Sequence, residues 1–376
     1  MAMTHSHWIW AQPDWPHFHW QDEALLPLTR AIQRKTGILL GKTSATENET
    51  RQALDTLLAN ILASSAIEDE RLNVQSVRSS LARRLGVSDE KPWPTSDRSE
   101  GLADMMFDAI DNRLEPLTLA RLYQWHQWLF AEQHSWLGRV IVGSLRSDEP
   151  MQVVSGRIDK PHVHFEAPPR AGLEAQLTQF IDWFNQSRND ALLDPLLRAA
   201  IAHLWFVTLH PFDDGNGRMT RALTDLALAQ ADDQSIRLYA MSVAILERRP
   251  DYYRILEQTQ KGPLDITPWL VWFLETLDAT LDHALDSVQR ILMKSRFWQR
   301  PATLDISPEQ QKVLNRLLDG GENGFDGGIS ASQYQKVAKV SKATATRHLA
   351  QLVEKGLLEK MPGGGRNTRY QIAVGE

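Results

Sequence analysis

The residues best able to do chemistry lie in one short stretch, His210 to Arg218, with Arg221 three positions further on. An apolar run ends just before His210, Pro211 prevents simple continuation of a helix, and a Gly-Asn-Gly turn opens a new one. Free backbone N–H groups at a helix start bind phosphate oxygens, and glycines allow a close approach. We therefore expect a phosphate-bearing ligand at the turn made by Gly215, Asn216 and Gly217.

Four side chains around this turn supply complementary chemistry. Arg218 and Arg221 lie on one helix face, so two guanidinium groups can hold a multiply charged phosphate chain. Asp214 offers the carboxylate oxygens that Mg²⁺ prefers beside phosphates. The imidazole of His210 can take a proton from an attacking hydroxyl near neutral pH. Each feature alone is common, but together within twelve positions they indicate phosphoryl or nucleotidyl transfer.

The stretch His210–Arg218 resembles the Fic/Doc family signature H-P-F-x-[DE]-G-N-[GK]-R at every position. Arg221 matches the extended form of the signature found in nucleotide-transferring members, and the resemblance covers roughly residues 1–295. It implies a Mg²⁺-dependent protein adenylyltransferase, which transfers AMP from ATP to a Ser, Thr or Tyr hydroxyl of a target protein, with pyrophosphate leaving.

The resemblance also implies a role for each matching residue. His210 would deprotonate the target hydroxyl, and Asp214 would hold Mg²⁺. The glycine-rich turn with Arg218 would bind the α- and β-phosphates, and Arg221 would bind the γ-phosphate. The family often places an adenine-pocket tyrosine where this chain has two, so the ATP-binding candidates are Gly215, Asn216, Gly217, Arg218, Arg221, Tyr252 and Tyr253.

An inhibitory segment precedes this core. Residues Ser64–Asp69 resemble the family's autoinhibitory motif [ST]-x-x-x-E-[GN], in which Ser64 and Glu68 fit and Asp69 stands in place of Gly or Asn. By this resemblance Glu68 pairs with Arg221 and displaces the γ-phosphate, because the pair occupies donors that ATP needs. The same glutamate could instead position a water for removal of AMP. De-AMPylation and transfer of another nucleotide or of phosphate therefore stay open.

Residues 138–169 differ in sequence pattern from the helical stretches on either side, with short runs at 140–142, 151–154 and 162–165 that are typical of strands. The pattern predicts a short hairpin inside a helical domain, and the family has its target-docking flap at residues 151–165. Such a hairpin could pair with an extended target segment by strand addition. His162 and His164 share a strand face, but the sequence offers no acidic or third histidine ligand nearby, so we expect no metal there.

The elements that position these residues are mainly helical. Apolar residues recur at helical spacing from 50 to 67, and further helices are expected near 101–113, 117–130, 173–187, 195–208, 215–230 and 267–295. The expected fold is mainly α, a Fic-type helical core with a short β-hairpin flap. Four of the 13 tryptophans, Trp8, Trp10, Trp15 and Trp20, form an aromatic segment that we expect to dock on its own protein, an exposed ligand-binding strip being the alternative.

The C-terminal residues follow another pattern, beginning with Ser307 and Pro308 as a helix start. Two more helices and a glycine-tipped hairpin predict a winged helix-turn-helix, and 8 basic against 2 acidic residues give +6 over 336–369. DNA is therefore a candidate partner of residues 330–372, with contacts from Ser341, Lys342, Thr344, Thr346 and Arg347. The alternative is a dimerisation or target-docking module, and a homodimer stays open.

Length and composition limit the remaining possibilities. At 376 residues the chain exceeds a single core, and we expect domains at 1–100, 101–296 and 305–376. The net charge of −6 gives no overall attraction to nucleic acid, and the absence of cysteine excludes disulfides, thiolate nucleophiles and Cys-bound metals. Without a targeting segment or a long apolar stretch, a soluble cytoplasmic protein that binds no membrane is expected.

A rival interpretation is a DNA-binding regulator that uses the Fic core as a nucleotide sensor. The intact His210, Asp214, Arg218 and Arg221 favour the enzyme, because a sensor has no need of a base.

Overall fold

The computed structural model describes residues 8–43, 49–87, 92–131, 140–157, 160–232, 238–320, 325, 327–362 and 368–373. The residues before Trp8, the hairpin turn around Asp159 and the glycine tip expected at 363–365 lie outside this set. The chain divides into two compact units, Met1–Ala284 and Leu285–Glu376. The three domain boundaries expected from the sequence remain predictions.

The larger unit is built from helices, as the sequence predicts. They are α1 Asp22–Thr43, α2 Glu49–Ile67, α3 Val74–Arg84, α4 Asp97–Asp111, α5 Leu119–Leu129, α6 Leu173–Gln186, α7 Pro195–Leu209, α8 Asn216–Asp232, α9 Met241–Glu247, α10 Arg249–Gln260 and α11 Thr267–Trp298, which continues into the smaller unit. None of the helices among the described residues combines the length and apolarity needed to cross a membrane.

The central helix is α7, which is buried on all sides. Every residue from Leu196 to Leu209 is buried, which is typical of a helix enclosed by its neighbours. The helix starts at an Asp194 cap with Pro195 in its first turn and ends at His210, whose left-handed φ of +48° cannot continue the helix. Its end therefore places His210 at the edge of the core.

The expected hairpin is present as β1 Gln152–Arg157 and β2 Lys160–Glu166, paired antiparallel with an irregularity at Val153/Val154. The apolar run at 140–142 forms no strand. The backbone N–H of Ile141 instead donates to the Asp213 carboxylate at 3.0 Å, so this segment supports the loop after α7.

The early tryptophans pack on their own protein. Trp8 is 4% exposed and meets Phe165 of β2 edge-on at 5.4 Å, while the Trp10 indole N–H donates to the Glu166 carbonyl at 2.7 Å. Trp15 contacts Trp205 of α7 at 6.2 Å between ring centroids. Trp8 and Trp10 thus pack against β2 of the hairpin, and Trp15 packs against α7.

The smaller unit has its own apolar core, which includes Val313, Leu314, Tyr334, Leu349 and Leu352. Its elements are α12 Pro308–Asp319, β3 Ile329–Ser330, α13 Ala331–Ala338, α14 Lys342–Glu354, β4 Leu358–Lys360 and β5 Arg369–Ile372, with sheet order β3-β5-β4. Ser307 caps α12 by accepting the Gln310 N–H at 3.3 Å, as its position predicts. The winged helix-turn-helix stays a prediction.

Candidate active site

His210 is held as a neutral imidazole. Its Nδ1 lies 3.1 Å from the Val207 carbonyl, which can only accept, so the proton sits on Nδ1 and the lone pair on Nε2. Burial lowers the pKa of His210 from its usual value of 6.5, because it disfavours the charged imidazolium. The ring can therefore accept a proton at neutral pH.

Arg146 holds the backbone carbonyls of His210 and Pro211. Its side chain, 2% exposed for the residue as a whole, donates to the His210 carbonyl at 2.9 Å and to the Pro168 carbonyl at 2.5 Å. Its backbone N–H donates to the Pro211 carbonyl at 3.0 Å. Sequence reasoning missed this residue, because a single arginine before the hairpin has no spacing that links it to His210.

The loop from Phe212 to Asn216 is closed by the Asn216 side chain. The amide oxygen accepts the Phe212 N–H at 3.0 Å and the amide nitrogen donates to the Phe212 carbonyl at 2.7 Å. Asn216 thus shapes, with its side chain, the turn that is expected to bind phosphate. Gly215 has φ +79°, and a Cβ there would lie 2.7 Å from Leu129, so the turn requires glycine at this position.

The two acidic residues of the loop have different roles. Asp213 accepts the backbone N–H groups of Ile141 and Ser147 at 3.0 and 3.2 Å, one on each oxygen, so it is committed to the loop. The Asp214 side chain is 58% exposed. Its Oδ1 accepts the Gly215 N–H at 2.5 Å. An exposed carboxylate beside this turn fits Mg²⁺, whose remaining ligands would come from substrate phosphates and water.

The backbone of Asp214 is fixed by His126, which sequence reasoning also missed. This fully buried histidine stacks on Phe212 at 4.3 Å and donates from Nε2 to the Asp214 carbonyl at 3.1 Å. Its Nδ1 accepts the Gly143 N–H at 3.0 Å. Both ring nitrogens of a neutral imidazole are thereby satisfied, and burial lowers the pKa of His126 in agreement.

The predicted inhibitory residues meet Arg221. Its Nη2 lies 2.8 Å from Glu68 Oε1 and 2.8 Å from the Ser64 carbonyl, and its Nε donates to Ser64 Oγ at 2.8 Å. The Arg221 side chain is 2% exposed and that of Glu68 is 33% exposed, so the carboxylate lies between the guanidinium and the cleft. A Cβ on Gly217 would lie 2.1 Å from Glu68 Oε1, so only glycine permits this approach.

The departure at Asp69 has a structural explanation. Asp69 has φ +58°, in the left-handed region that favours Gly and Asn but also admits Asp. Its carboxylate pairs with both terminal nitrogens of Arg249 at 2.7 Å each. The turn after α2 therefore accommodates Asp69 at the position where the motif has Gly or Asn.

Arg218 is also paired, with a residue that the sequence did not single out. Its Nη1 lies 2.7 Å from Glu70 Oε2, and its Nη2 is 3.8 Å from Asp214 Oδ1. The other oxygen of Glu70 pairs with Arg98 of α4. The only sequence sign of this contact was the acidic run from Glu68 to Glu70.

His210, Asp214, the turn from Gly215 to Gly217 and Glu68 border one cleft of about 820 Å³, which is lined also by residues of β1, β2 and α10. The two candidate tyrosines differ within it. Tyr252 is 1% exposed, and its hydroxyl is 2.9 Å from His203 Nε2, whereas Tyr253 is 38% exposed and donates to the Ile67 carbonyl at 3.2 Å. Tyr253 therefore presents its ring to a nucleotide more openly than Tyr252.

In the smaller unit, the DNA-contact candidates cluster at the start of α14. Ser341 caps this helix by accepting the Thr344 N–H at 3.2 Å, and Thr346 donates back to the Lys342 carbonyl at 3.0 Å. Lys342, Thr346 and Arg347 are exposed. These side chains could reach phosphates or base edges.

Comparison with known proteins gives two family matches. Residues 116–228 match the model described as the Fic/DOC family, and residues 8–87 match a domain of unknown function, DUF4172. The chain is 32% identical over 139 residues to "Protein adenylyltransferase Fic" of Nematostella vectensis, covering 37% of this chain and 30% of that protein. For the protein of the same name from Aedes aegypti, the identity is 28% over 236 residues, 62% of this chain and 42% of the relative. The chain thus spans less than half the length of these relatives.

Solved structures show the same fold. A Fic family protein from Desulfovibrio desulfuricans superposes with a TM-score of 0.53 at 20% identity, over 94% of this chain and 97% of the other. A Fic domain-containing protein from Bacteroides thetaiotaomicron gives 0.52 at 20% identity, over 70% and 97%.

Proposed function

We propose that this chain, which belongs to the Fic/DOC family, is a protein adenylyltransferase that transfers AMP from ATP to a hydroxyl of a target protein. The observation that carries the proposal is the arrangement around one cleft. A histidine with a free Nε2, an exposed carboxylate and a glycine turn face it, with two buried arginines close behind.

In this reaction His210 Nε2 takes the proton of the target hydroxyl as its oxygen bonds to the α-phosphorus of ATP. The bond from that phosphorus to the bridging oxygen breaks, and pyrophosphate leaves with the electron pair. Asp214 would hold Mg²⁺, which neutralises phosphate charge when bound. The turn at the start of α8 and Arg218 would hold the α- and β-phosphates, with Arg221 reserved for the γ-phosphate.

The hairpin is proposed as the docking site for the target. It forms a two-stranded sheet of order β1-β2, so a target segment can pair along an outer edge. Residues of both strands line the cleft together with His210, which would bring a docked hydroxyl to the base.

We propose further that Glu68 inhibits the enzyme. Its carboxylate occupies a donor of Arg221 that the γ-phosphate would need. The test is incubation with radiolabelled ATP: Glu68→Gly should label itself more strongly than wild type, and His210→Ala should not label at all. Equal labelling of wild type and Glu68→Gly contradicts the inhibitory role.

De-AMPylation is the second candidate, favoured by the partial exposure of Glu68 in the cleft. Its second oxygen lies 3.5 Å from the Tyr253 hydroxyl, so the carboxylate could orient a water. If wild type releases AMP from a labelled target and Glu68→Gln does not, removal is the principal reaction.

The smaller unit is proposed to bind DNA as a winged helix through α14, where the local charge is positive. Arg347→Ala should weaken a mobility shift at fixed salt, while Lys312→Ala on α12 should not. An unchanged shift excludes Arg347 as a contact, whereas the absence of any shift with the wild type contradicts DNA binding and favours dimerisation or target docking.

A further inference from the structure

The fold supplies the acidic ligand that the sequence did not offer to His162 and His164. Glu257 of α10 lies across from these strand residues, with Oε2 2.7 Å from His164 Nδ1 and Oε1 4.0 Å from His162 Nε2. One ligand atom from each residue falls in a group within 4.8 Å, and the two imidazole centroids are 4.5 Å apart. The expectation that no acidic ligand is near these histidines is therefore wrong.

From this cluster we propose a binding site for a transition-metal ion of the Zn²⁺ class, separate from the Mg²⁺ of the transfer reaction. Two imidazoles and one carboxylate form a ligand set that suits Zn²⁺ and leaves a position for water, whereas Mg²⁺ prefers oxygen ligands. Ligand atoms of one tetrahedral Zn²⁺ lie about 3.3 Å apart. This separation falls between the 2.7 Å from Glu257 to His164 and the 4.0 Å from Glu257 to His162, so small side-chain rotations complete the site.

Of the neighbouring groups, Ser155 favours such an ion and Lys261 competes with it. Ser155 Oγ lies 2.6 Å from His164 Nε2, where it can accept the N–H proton and leave the Nδ1 lone pair for the metal. Lys261 pairs with Glu257 Oε1 at 2.5 Å, so the ion must displace this ammonium, which lowers the affinity. The site binds Zn²⁺ reversibly.

The site lies where a bound ion would hold the docking hairpin in place. Ser155, His164 and Glu257 all border the active-site cleft, and the two histidines belong to β2 of the docking hairpin. An ion held there connects the hairpin to α10. Zn²⁺ therefore fixes the edge on which the target is proposed to dock.

The test is a calorimetric titration of the full-length, chelator-treated chain with Zn²⁺. We expect one site, weakened at least about tenfold by His162→Ala and by Glu257→Gln and unchanged in His283→Ala, an exposed histidine on α11. Zn²⁺ should also slow amide hydrogen exchange in β1 and β2 of wild type but not of His162→Ala. Absence of binding, or binding that is unchanged in both His162→Ala and Glu257→Gln, overturns the proposal.

The contact between Glu70 and Arg218 independently supports a second inference, which rests on the proposed function. We infer that Glu70 is a second inhibitory carboxylate, acting on Arg218 as Glu68 acts on Arg221. The Arg218 side chain is 7% exposed and that of Glu70 is 22% exposed, so the pair lies largely out of bulk water. Arg98 holds the other carboxylate oxygen and so keeps Glu70 in place.

Two carboxylates from one turn therefore cover both phosphate-binding arginines. Release of Glu68 alone frees Arg221 for the γ-phosphate but leaves Arg218 paired. Full access for ATP requires movement of the whole turn from Glu68 to Glu70, which joins α2 to α3.

The test measures ATP affinity and self-labelling separately. Glu70→Gln should bind ATP roughly fivefold more tightly than wild type, and it should increase labelling further in the Glu68→Gly background. Glu115→Gln, an exposed matched control, should change neither. If Glu70→Gln binds ATP more tightly but no variant is labelled, the inhibitory contact of Glu70 is supported and the transferase activity is refuted. Unchanged or weaker binding in Glu70→Gln, or no ATP binding by any variant, overturns the inference.

Discussion

Removal of the Glu68 carboxylate should increase the proposed transfer activity, and the burial of the Glu68–Arg221 ion pair sets the expected size of the increase. Arg221 is 2% exposed and Glu68 is 33% exposed, so their pair is stronger than a surface ion pair and weaker than a fully buried one. Hydrogen bonds to charged groups contribute about 1.5–3 kcal/mol, and solvent exposure of the carboxylate reduces this to about 1–2 kcal/mol. At tenfold per 1.4 kcal/mol, ATP should bind Glu68→Gly roughly 5- to 30-fold more tightly.

The assay is self-labelling with radiolabelled ATP at concentrations below saturation, where the rate follows affinity. Glu68→Gln is the informative companion, because its amide oxygen can still accept from Arg221 without the charge, so its rate should lie between wild type and Glu68→Gly. Glu115→Gly controls for loss of an exposed glutamate elsewhere. If Glu68→Gly binds ATP no better than wild type, the displacement argument is wrong.

A second readout comes from stability. Without ATP, Glu68→Gly should melt at a lower temperature than wild type, because a buried guanidinium loses its anionic partner. With ATP the difference should narrow or reverse, since phosphate then takes the place of the carboxylate. A melting temperature unaffected by ATP in Glu68→Gly contradicts the exchange of one anion for the other.

Three further predictions concern the catalytic loop. Because burial lowers the pKa of His210, labelling by Glu68→Gly should persist below pH 6.5 and fall only when the imidazole is protonated; a half-maximal rate above pH 6.5 in a pH–rate profile contradicts this. Asp214→Asn should raise the Mg²⁺ concentration needed for half-maximal labelling at least about tenfold, whereas the exposed Asp148→Asn should not; equal Mg²⁺ titrations refute the role of Asp214. Arg146→Ala should destabilise the fold by roughly 2–4 kcal/mol in urea unfolding and lower the labelling rate, because the buried carbonyls of His210 and Pro168 lose their donor; wild-type stability and rate contradict the positioning role.

The core of the site could be predicted because its chemistry is contiguous in sequence. His210, Asp214 and the glycine turn lie within one loop, where local rules on helix ends and anion binding apply directly. The contact of Glu68 with Arg221 could be predicted because the motif that contains Glu68 is also local in sequence.

The supporting residues could not be predicted, because only the fold brings them to the site. Glu70 and Arg218 are 148 positions apart, Arg146 and His210 are 64 apart, and His164 and Glu257 are 93 apart. No spacing rule links residues at such separations. Arg98 belongs to the same class, since α4 must pack beside the turn before it can reach Glu70.

The local sequence pattern gave wrong expectations of secondary structure in two places. The β-branched run at 140–142 has strand propensity but no strand partner, and its backbone instead binds Asp213. Helix α3 was missed because serine and arginine dominate its sequence; its buried serines are satisfied by pairs such as Ser76 with Ser99 at 2.8 Å.

The most direct test of the proposed activity is intact-mass spectrometry of the full-length chain after incubation with ATP and Mg²⁺. Glu68→Gly should gain a single AMP, or transfer AMP to a protein of a cell lysate, and the double variant Glu68→Gly/His210→Ala should do neither. An AMP adduct that forms equally without His210 contradicts the assigned base. Absence of AMP transfer by Glu68→Gly, to itself and to any lysate protein, contradicts the adenylyltransferase itself.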